Sequence, residues 1–183
     1  MRALSLRPPT VERVTVQFIL RPESAEMHEE YHRLIIYFDG ASRNNPHGPA
    51  GCGWVIYEMD EHGAVGNAIA DGSHSLGYNV SNNQAEYEGL EHALQWMYDN
   101  KISCDGLYVR GDSEIVINQL DGIYQVRSPN ITGYYSAVMS LLNDIQYDFV
   151  SYRHVRRDQN SYADNLANQA IEYGDEEIND YQY

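Results

Sequence analysis

Positive charge is scarce in this chain: its 183 residues carry 12 Lys and Arg against 27 Asp and Glu, a net charge of −15. That balance excludes a protein that grips polyanions by bulk attraction, and it predicts salt-sensitive binding that leans on metal ions and hydrogen bonds. The basic residues are unevenly placed, with Arg2, Arg7, Arg13 and Arg21 crowded near the amino terminus against Glu12 alone. Cysteine is nearly absent. Cys52 and Cys104 lie in apolar surroundings without metal-type spacing, which excludes a disulfide framework and a thiolate zinc site and predicts buried free thiols. No apolar run nears the length of about 20 residues that spans a bilayer, and no apolar stretch follows Arg2 and Arg7. The chain is therefore expected to be soluble and intracellular, with no membrane partner. On that expectation the acceptor patterns Asn79-Val80-Ser81 and Asn130-Ile131-Thr132 are coincidental.

Hydrophobic residues make up 43% of the chain, enough for a packed core and too many for wholesale disorder. The length suits one domain with an appendage or two. Val14, Val16, Phe18 and Leu20 alternate over 11–20, which predicts a strand or extended arm, set apart from the body by Pro8-Pro9 and Arg21-Pro22. An acidic linker or short helix follows over 23–30. Three strands are predicted at 33–39, 51–58 and about 64–76, and the short glycine-rich connections between them make antiparallel neighbours. A helix is predicted over 83–99, with Tyr87, Leu90, Leu94 and Met97 on one face and Ser81 or Asn82 as its cap. The chain then alternates: strand 106–111, helix 113–120, helix 132–146, strand 148–155, and helix 161–173 with Ser161 as cap and Gly174 as stop. Three antiparallel strands followed by strand–helix alternation give an α/β fold with a mixed sheet. The organisation is a basic extension at 1–32, a body at 33–173, and an acidic tail at 174–183 that reads as a solvated, frayed end.

Four acidic residues stand where a short apolar run has just ended or a helix is starting. Asp39 closes Leu34-Ile35-Ile36-Tyr37-Phe38, Asp112 follows Leu107-Tyr108-Val109 by three residues, Glu86 lies three after Asn83, and Asp164 lies three after Ser161. Each has an ordinary local explanation, because Asp-Gly is a common turn dipeptide and acids in a first helical turn are favoured by the dipole. Jointly they ask for more. Four carboxylates meeting in space would repel one another and take up protons unless a cation neutralised them. Hard oxygen ligands select Mg²⁺ or Mn²⁺ over Zn²⁺. Phosphodiester hydrolysis by two divalent ions roughly 3.5–4 Å apart is the chemistry that uses such a set.

Four motifs carry a family resemblance. Tyr37-Phe38-Asp39-Gly40-Ala41-Ser42, with Asn45-Pro46 shortly after, resembles the first strand and turn of type 1 ribonuclease H. Ser81-Asn82-Asn83-Gln84-Ala85-Glu86-Tyr87 is similar to that family's helix entry, Gly111-Asp112-Ser113 to a strand end, and Val155-Arg156-Arg157, Asn160 and Ala163-Asp164-Asn165-Leu166-Ala167 to its closing motif. Order and spacing agree over 33–173. The resemblance implies a ribonuclease H-like five-stranded mixed sheet flanked by helices. It also implies a monomeric, Mg²⁺-dependent endonuclease cutting the RNA strand of RNA–DNA hybrids to 5′-phosphate and 3′-hydroxyl ends, with Mn²⁺ able to substitute. Asp39, Glu86, Asp112 and Asp164 become the metal-binding catalytic acids. Asn45, Asn82 and Asn83 fall where the family contacts ribose 2′-hydroxyls and backbone, and Ser81 where it contacts a phosphate. A neutral amide suits a 2′-hydroxyl because it both donates and accepts, although Asn is also a preferred helix cap. A non-catalytic nucleic-acid-binding or structural member of the same fold is the alternative.

The sequence departs from the family pattern in several places. Many members place a loop histidine about ten residues before the last acid; His154 has that separation but falls in the predicted strand. Arg157 stands in its place, as in compact archaeal-like members; a guanidinium there can hold a phosphate near the second metal, and a surface ion pair with Asp158 or Glu172 is the ordinary alternative. Residues 121–130 carry Arg127 alone and so lack the basic protrusion of some bacterial members, which predicts a weaker grip supplemented by other arginines or stacking tyrosines. His47 is inserted beside the Asn45-Pro46 turn. Residues 1–32 do not match the hybrid-binding module of eukaryotic members; this arm can contact nucleic acid, add a strand, or dock on a protein partner.

Overall fold

Leu34, Ile36 and Phe38 are fully buried on one side of β1 (Glu29–Ser42), and Ile35 and Tyr37 point the other way, as a strand's two-residue period requires. The structure, a computed structural model, describes residues 29–173 and 176–180. The segment predicted as a strand or arm over 11–20, and Gly174 as a helix stop, lie outside the described residues. β1 pairs antiparallel with β2 (Pro49–Met59), which pairs antiparallel with β3 (Val65–Tyr78). Helix α1 (Asn82–Asp99) carries the chain to β4 (Ile102–Gly111), parallel to β1 on its other side. Two further helices, α2 (Glu114–Leu120) and α3 (Pro129–Asp144), lead to β5 (Tyr147–His154), parallel to β4. A 3₁₀ turn at Arg157–Gln159 and α4 (Ser161–Tyr173) complete the body.

The strand order is β5-β4-β1-β2-β3-β6, where β6 (Glu176–Asp180) lies antiparallel along the edge of β3. The first five strands are the mixed sheet expected from the sequence. β6 corrects the reading of the acidic tail as a frayed end: a strand at a sheet edge is held by backbone hydrogen bonds, which acidic composition does not forbid. β1 and β4 also begin earlier than their alternation predicts, β4 directly after a turn in which Lys101 has a φ of 54°. Pro129 opens α3, where its fixed φ and missing N–H are tolerated.

Trp54, Tyr87, Leu90, Leu94 and Met97 fill the layer between the sheet and α1, and Val116, Ile117, Val138 and Leu142 extend it beneath α2 and α3. Burying each large side chain of this kind contributes roughly 1.5–3 kcal/mol, so this layer fixes α1 on the sheet. On the opposite face α4 presents Ala163, Ala167 and Ala170, all buried, over Gly51 and Gly53 of β2. Cys52 and Cys104 are buried free thiols, as predicted. Among the described residues no helix is long and apolar enough to cross a membrane.

Candidate active site

The parallel register of β1 and β4 pairs Phe38 with Gly111, its last pair, so Asp39 and Asp112 lie side by side where the β1–β4 ladder stops. Alternation turns Phe38 toward α1 and Asp39 toward α4. Asp39-Gly40, which reads as a turn dipeptide, lies instead inside β1. Gly40 serves an approach rather than a turn: a Cβ there would stand 2.1 Å from the amide nitrogen of Glu86. The start of α1 therefore rests directly on the strand beside Asp39. That start is fixed by a capping box, in which the Ser81 hydroxyl accepts from the Gln84 N–H and the Gln84 side chain accepts from the Ser81 N–H at 2.9 Å. Glu86 follows one turn later, buried. On the other face, α4 comes close enough over Gly53 to bring Asp164 within hydrogen-bonding reach of Asp39.

The structure thus brings all four acids together. Oxygens of Asp39, Glu86 and Asp112 lie within 4.8 Å of one another. The Asp39 carboxyl is pushed up to about 8, first by burial and then by the charges of Asp112 and Asp164. Burial likewise raises Glu86 well above the ordinary carboxylate range, with Asp39 and Asp112 adding to it and Arg157 opposing it. Glu86 Oε2 is buried and has no hydrogen-bond partner among the described residues. Concentrated negative charge with an unanswered oxygen is costly in a folded protein, and a divalent cation answers it.

Arg157 pairs with Asp164. The ordinary partners considered for it are taken: Asp158 pairs with Arg156 at 3.1 Å and Glu172 with Arg43 at 3.7 Å. His154 is the last residue of β5, and its Nε2 lies 3.1 Å from the Asp112 carbonyl. Asn160 belongs to the closing motif, yet the sequence assigned it no role. It is buried, and its side-chain nitrogen donates to the Phe38 carbonyl at 2.9 Å and to Asp112 Oδ1 at 3.1 Å. The signal available was its position: α4 begins at Ser161, and the Asp164 N–H donates to the Asn160 carbonyl, so Asn160 rather than Ser161 stands at the cap.

The asparagines form a second group. Asn82 Oδ1 accepts from the Ser42 N–H at 2.8 Å, and Asn45 Oδ1 accepts from the Asn82 N–H at 3.2 Å. These bonds tie the loop after β1 to the first turn of α1 and use each side chain's oxygen, leaving its N–H groups as donors on an exposed surface. Asn83 follows in the same turn, half-buried. Asn82 and Asn83 are within the helix and Ser81 is its cap, which settles the capping question in favour of the serine.

A family model described as reverse transcriptase-like matches residues 37–170. The chain is 39% identical over 140 residues to ribonuclease HI of Halobacterium salinarum, an alignment covering 76% of this chain and 65% of that protein. It is 35% identical over 140 residues to the bifunctional protein Rv2228c of Mycobacterium tuberculosis, of which it spans 36%. The solved amino-terminal RNase H domain of that mycobacterial protein superposes with a TM-score of 0.67 at 31% identity, over 78% of this chain and 96% of the other. LC11-RNase H1, solved in complex with an RNA/DNA hybrid, gives a TM-score of 0.65 at 35% identity, over 76% of this chain and 96% of the other. The chain thus spans less than two thirds of the length of these curated relatives, and the match falls on the sheet and helices that carry the acids. It belongs to the type 1 ribonuclease H family, in its archaeal-like branch.

Proposed function

We propose that this chain hydrolyses the RNA strand of RNA–DNA hybrids, leaving 5′-phosphate and 3′-hydroxyl ends, with two Mg²⁺ ions as cofactor and Mn²⁺ as a substitute. The observation that carries this reading is the convergence of Asp39, Glu86 and Asp112, with oxygens within 4.8 Å and Glu86 Oε2 buried without a partner among the described residues. The donor set fits the ion, since every donor is a hard carboxylate oxygen. When bound, the ions supply activation of the attacking water and stabilisation of the departing 3′-oxygen.

The residues divide the remaining work. Asp39, Glu86, Asp112 and Asp164 would hold the ions: Asp39, lying between the other acids, would be shared by both, Glu86 and Asp112 would serve the first, and Asp164 would complete the second. Arg157 has a side chain 74% exposed, so its guanidinium can turn from Asp164 to a non-bridging phosphate oxygen. The N–H groups of Asn45, Asn82 and Asn83 face the minor groove, where a 2′-hydroxyl distinguishes RNA from DNA. The Ser81 hydroxyl meets a backbone phosphate. Water attacks phosphorus and gives up a proton to solvent, the P–O3′ bond breaks, the departing O3′ takes a proton from solvent to become the 3′-hydroxyl, and the phosphate stays on the 5′ end of the downstream product. Residues 33–173 contain every group this reading uses. The hybrid bound by LC11-RNase H1 supports the substrate class.

An end-labelled hybrid, an RNA duplex and a DNA duplex, each incubated with the protein and Mg²⁺, test the proposal. Cleavage of the hybrid's RNA strand alone is expected. Cutting of the DNA duplex, or no cutting with either Mg²⁺ or Mn²⁺, rejects it.

A further inference from the structure

We infer that Asn160 is a positioning residue for the acid cluster, setting the places of three of its four members. Its side-chain nitrogen has two N–H groups, and both are used: one donates to the Phe38 carbonyl at 2.9 Å and the other to Asp112 Oδ1 at 3.1 Å. Both partners can only accept, so the orientation of the amide is fixed by chemistry. Phe38 is the residue before Asp39, and its carbonyl belongs to the peptide unit that leads into that acid. The third tie is through the backbone, where the Asp164 N–H donates to the Asn160 carbonyl at 3.0 Å. One buried side chain and its own carbonyl thus connect β1 where its pairing with β4 stops, the residue that follows β4, and the first turn of α4, the places that carry Asp39, Asp112 and Asp164.

Two features separate this role from filling space. The amide oxygen of Asn160 is buried without a hydrogen-bond partner among the described residues, a cost that an apolar residue of similar size would not incur. The position therefore keeps an amide for the sake of its nitrogen. The donor is also neutral. A lysine or arginine there would hold Asp112 equally well but would cancel the negative charge that draws a cation. An amide fixes the carboxylate plane and leaves its charge intact, as hydrogen-bonding partners of ligating carboxylates do elsewhere.

The inference rests on the ion-dependent hydrolysis proposed above, and the test keeps the two apart. Mn²⁺ binding to the protein without substrate is measured by titration calorimetry for the wild type and Asn160→Ala, alongside kcat and KM on a labelled hybrid. Removing such a partner weakens metal binding by about 10- to 100-fold, so the variant is expected to bind Mn²⁺ correspondingly less tightly. Its kcat should fall by a similar factor, recover partly at higher Mn²⁺, and leave KM for the hybrid within about three-fold. A folded Asn160→Ala protein with wild-type Mn²⁺ affinity overturns the inference. If that variant does not fold, the wild type labelled with ¹⁵N at asparagine decides: the Asn160 side-chain amide protons should exchange slowly and shift as Mg²⁺ is added. Resonances unmoved at Mg²⁺ saturation overturn it equally. A wild type that neither binds the ion nor cuts the hybrid sinks the proposed function instead.

Discussion

Asp39 and Gly53 face each other across the β1–β2 ladder, and the space where Gly53 lacks a side chain is occupied by α4. A Cβ at that position would stand 2.5 Å from the backbone nitrogen of Ala167 and 2.6 Å from the carbonyl oxygen of Ala163. Backbone atoms cannot swing aside as a flexible side chain can, so Gly53→Ala must push the helix off the sheet. Overpacking of this kind costs about 1–3 kcal/mol. Because α4 carries Asp164, hybrid cleavage should fall as well as the melting temperature. A thermal melt and a cleavage assay on the one variant check both; unchanged values would mean that α4 does not depend on this contact.

The acid cluster links metal, pH and stability. In the folded metal-free protein Asp39 is pushed up to about 8 from an ordinary 3.8, and Glu86 is raised in the same sense. A raised folded value means that the contribution to stability is full below about pH 4 and is lost as pH rises through about 8. In chelator the melting temperature should therefore decline between pH 5 and 8 through these groups. Mg²⁺ bound as proposed would relieve that repulsion, so the rise in melting temperature on adding Mg²⁺ should be larger at pH 8 than at pH 5. Asp39→Asn should flatten that pH dependence while lowering cleavage by roughly 10²–10³-fold or more. A metal-induced rise that shrinks toward pH 8 would contradict the account.

The proposed role of Arg157 predicts an effect on rate rather than on folding. Its pair with Asp164 involves an exposed guanidinium, and exposed pairs contribute only about 0.2–1 kcal/mol. Hydrogen bonds to charged groups are worth about 1.5–3 kcal/mol, so losing one from the reacting phosphate slows turnover roughly 10- to 100-fold. Arg157→Ala should accordingly melt within a few degrees of the wild type and show a reduced kcat on hybrid. A wild-type kcat in steady-state assays would remove Arg157 from the reaction.

Two substitutions at Asn82 separate its structural bond from its proposed recognition. Asn82→Ala deletes the acceptor used by the Ser42 N–H, which costs about 1–3 kcal/mol if that group is left unsatisfied. Asn82→Asp keeps an acceptor there but offers no N–H to a ribose. The aspartate variant should hold its melting temperature and raise KM for the hybrid, whereas the alanine variant should lose on both counts. Equal KM values for Asn82→Asp and the wild type would place recognition elsewhere.

Apolar patterning was enough to predict the five-strand sheet, because the runs ending at Phe38 and Val109 and the helical spacing of Tyr87, Leu90, Leu94 and Met97 are properties of consecutive residues. The same patterning flagged Asp39, Glu86, Asp112 and Asp164 as fixed acids. What escaped it depends on distant partners. Gly40 is legible locally only as half of a turn dipeptide, and its actual use is to admit the backbone of α1. Asn160 sits beside a serine that is an equally good cap by composition, and nothing adjacent in the chain says that its amide reaches Phe38 and Asp112. The acidic residues 176–180 look solvated until the free edge of β3 is known to lie beside them. Local chemistry shows where side chains are held still, and packing decides what they meet.

The interlock of Asn45, Asn82 and Ser42 has one further consequence. These amides take their orientation when the chain folds, before any nucleic acid arrives, so the ordering of their rotamers is charged to folding and not to association. On the proposed function, a chain so poor in cations would gain little from long-range steering, and a rim already in place would let short-range contacts discriminate between sugars on arrival.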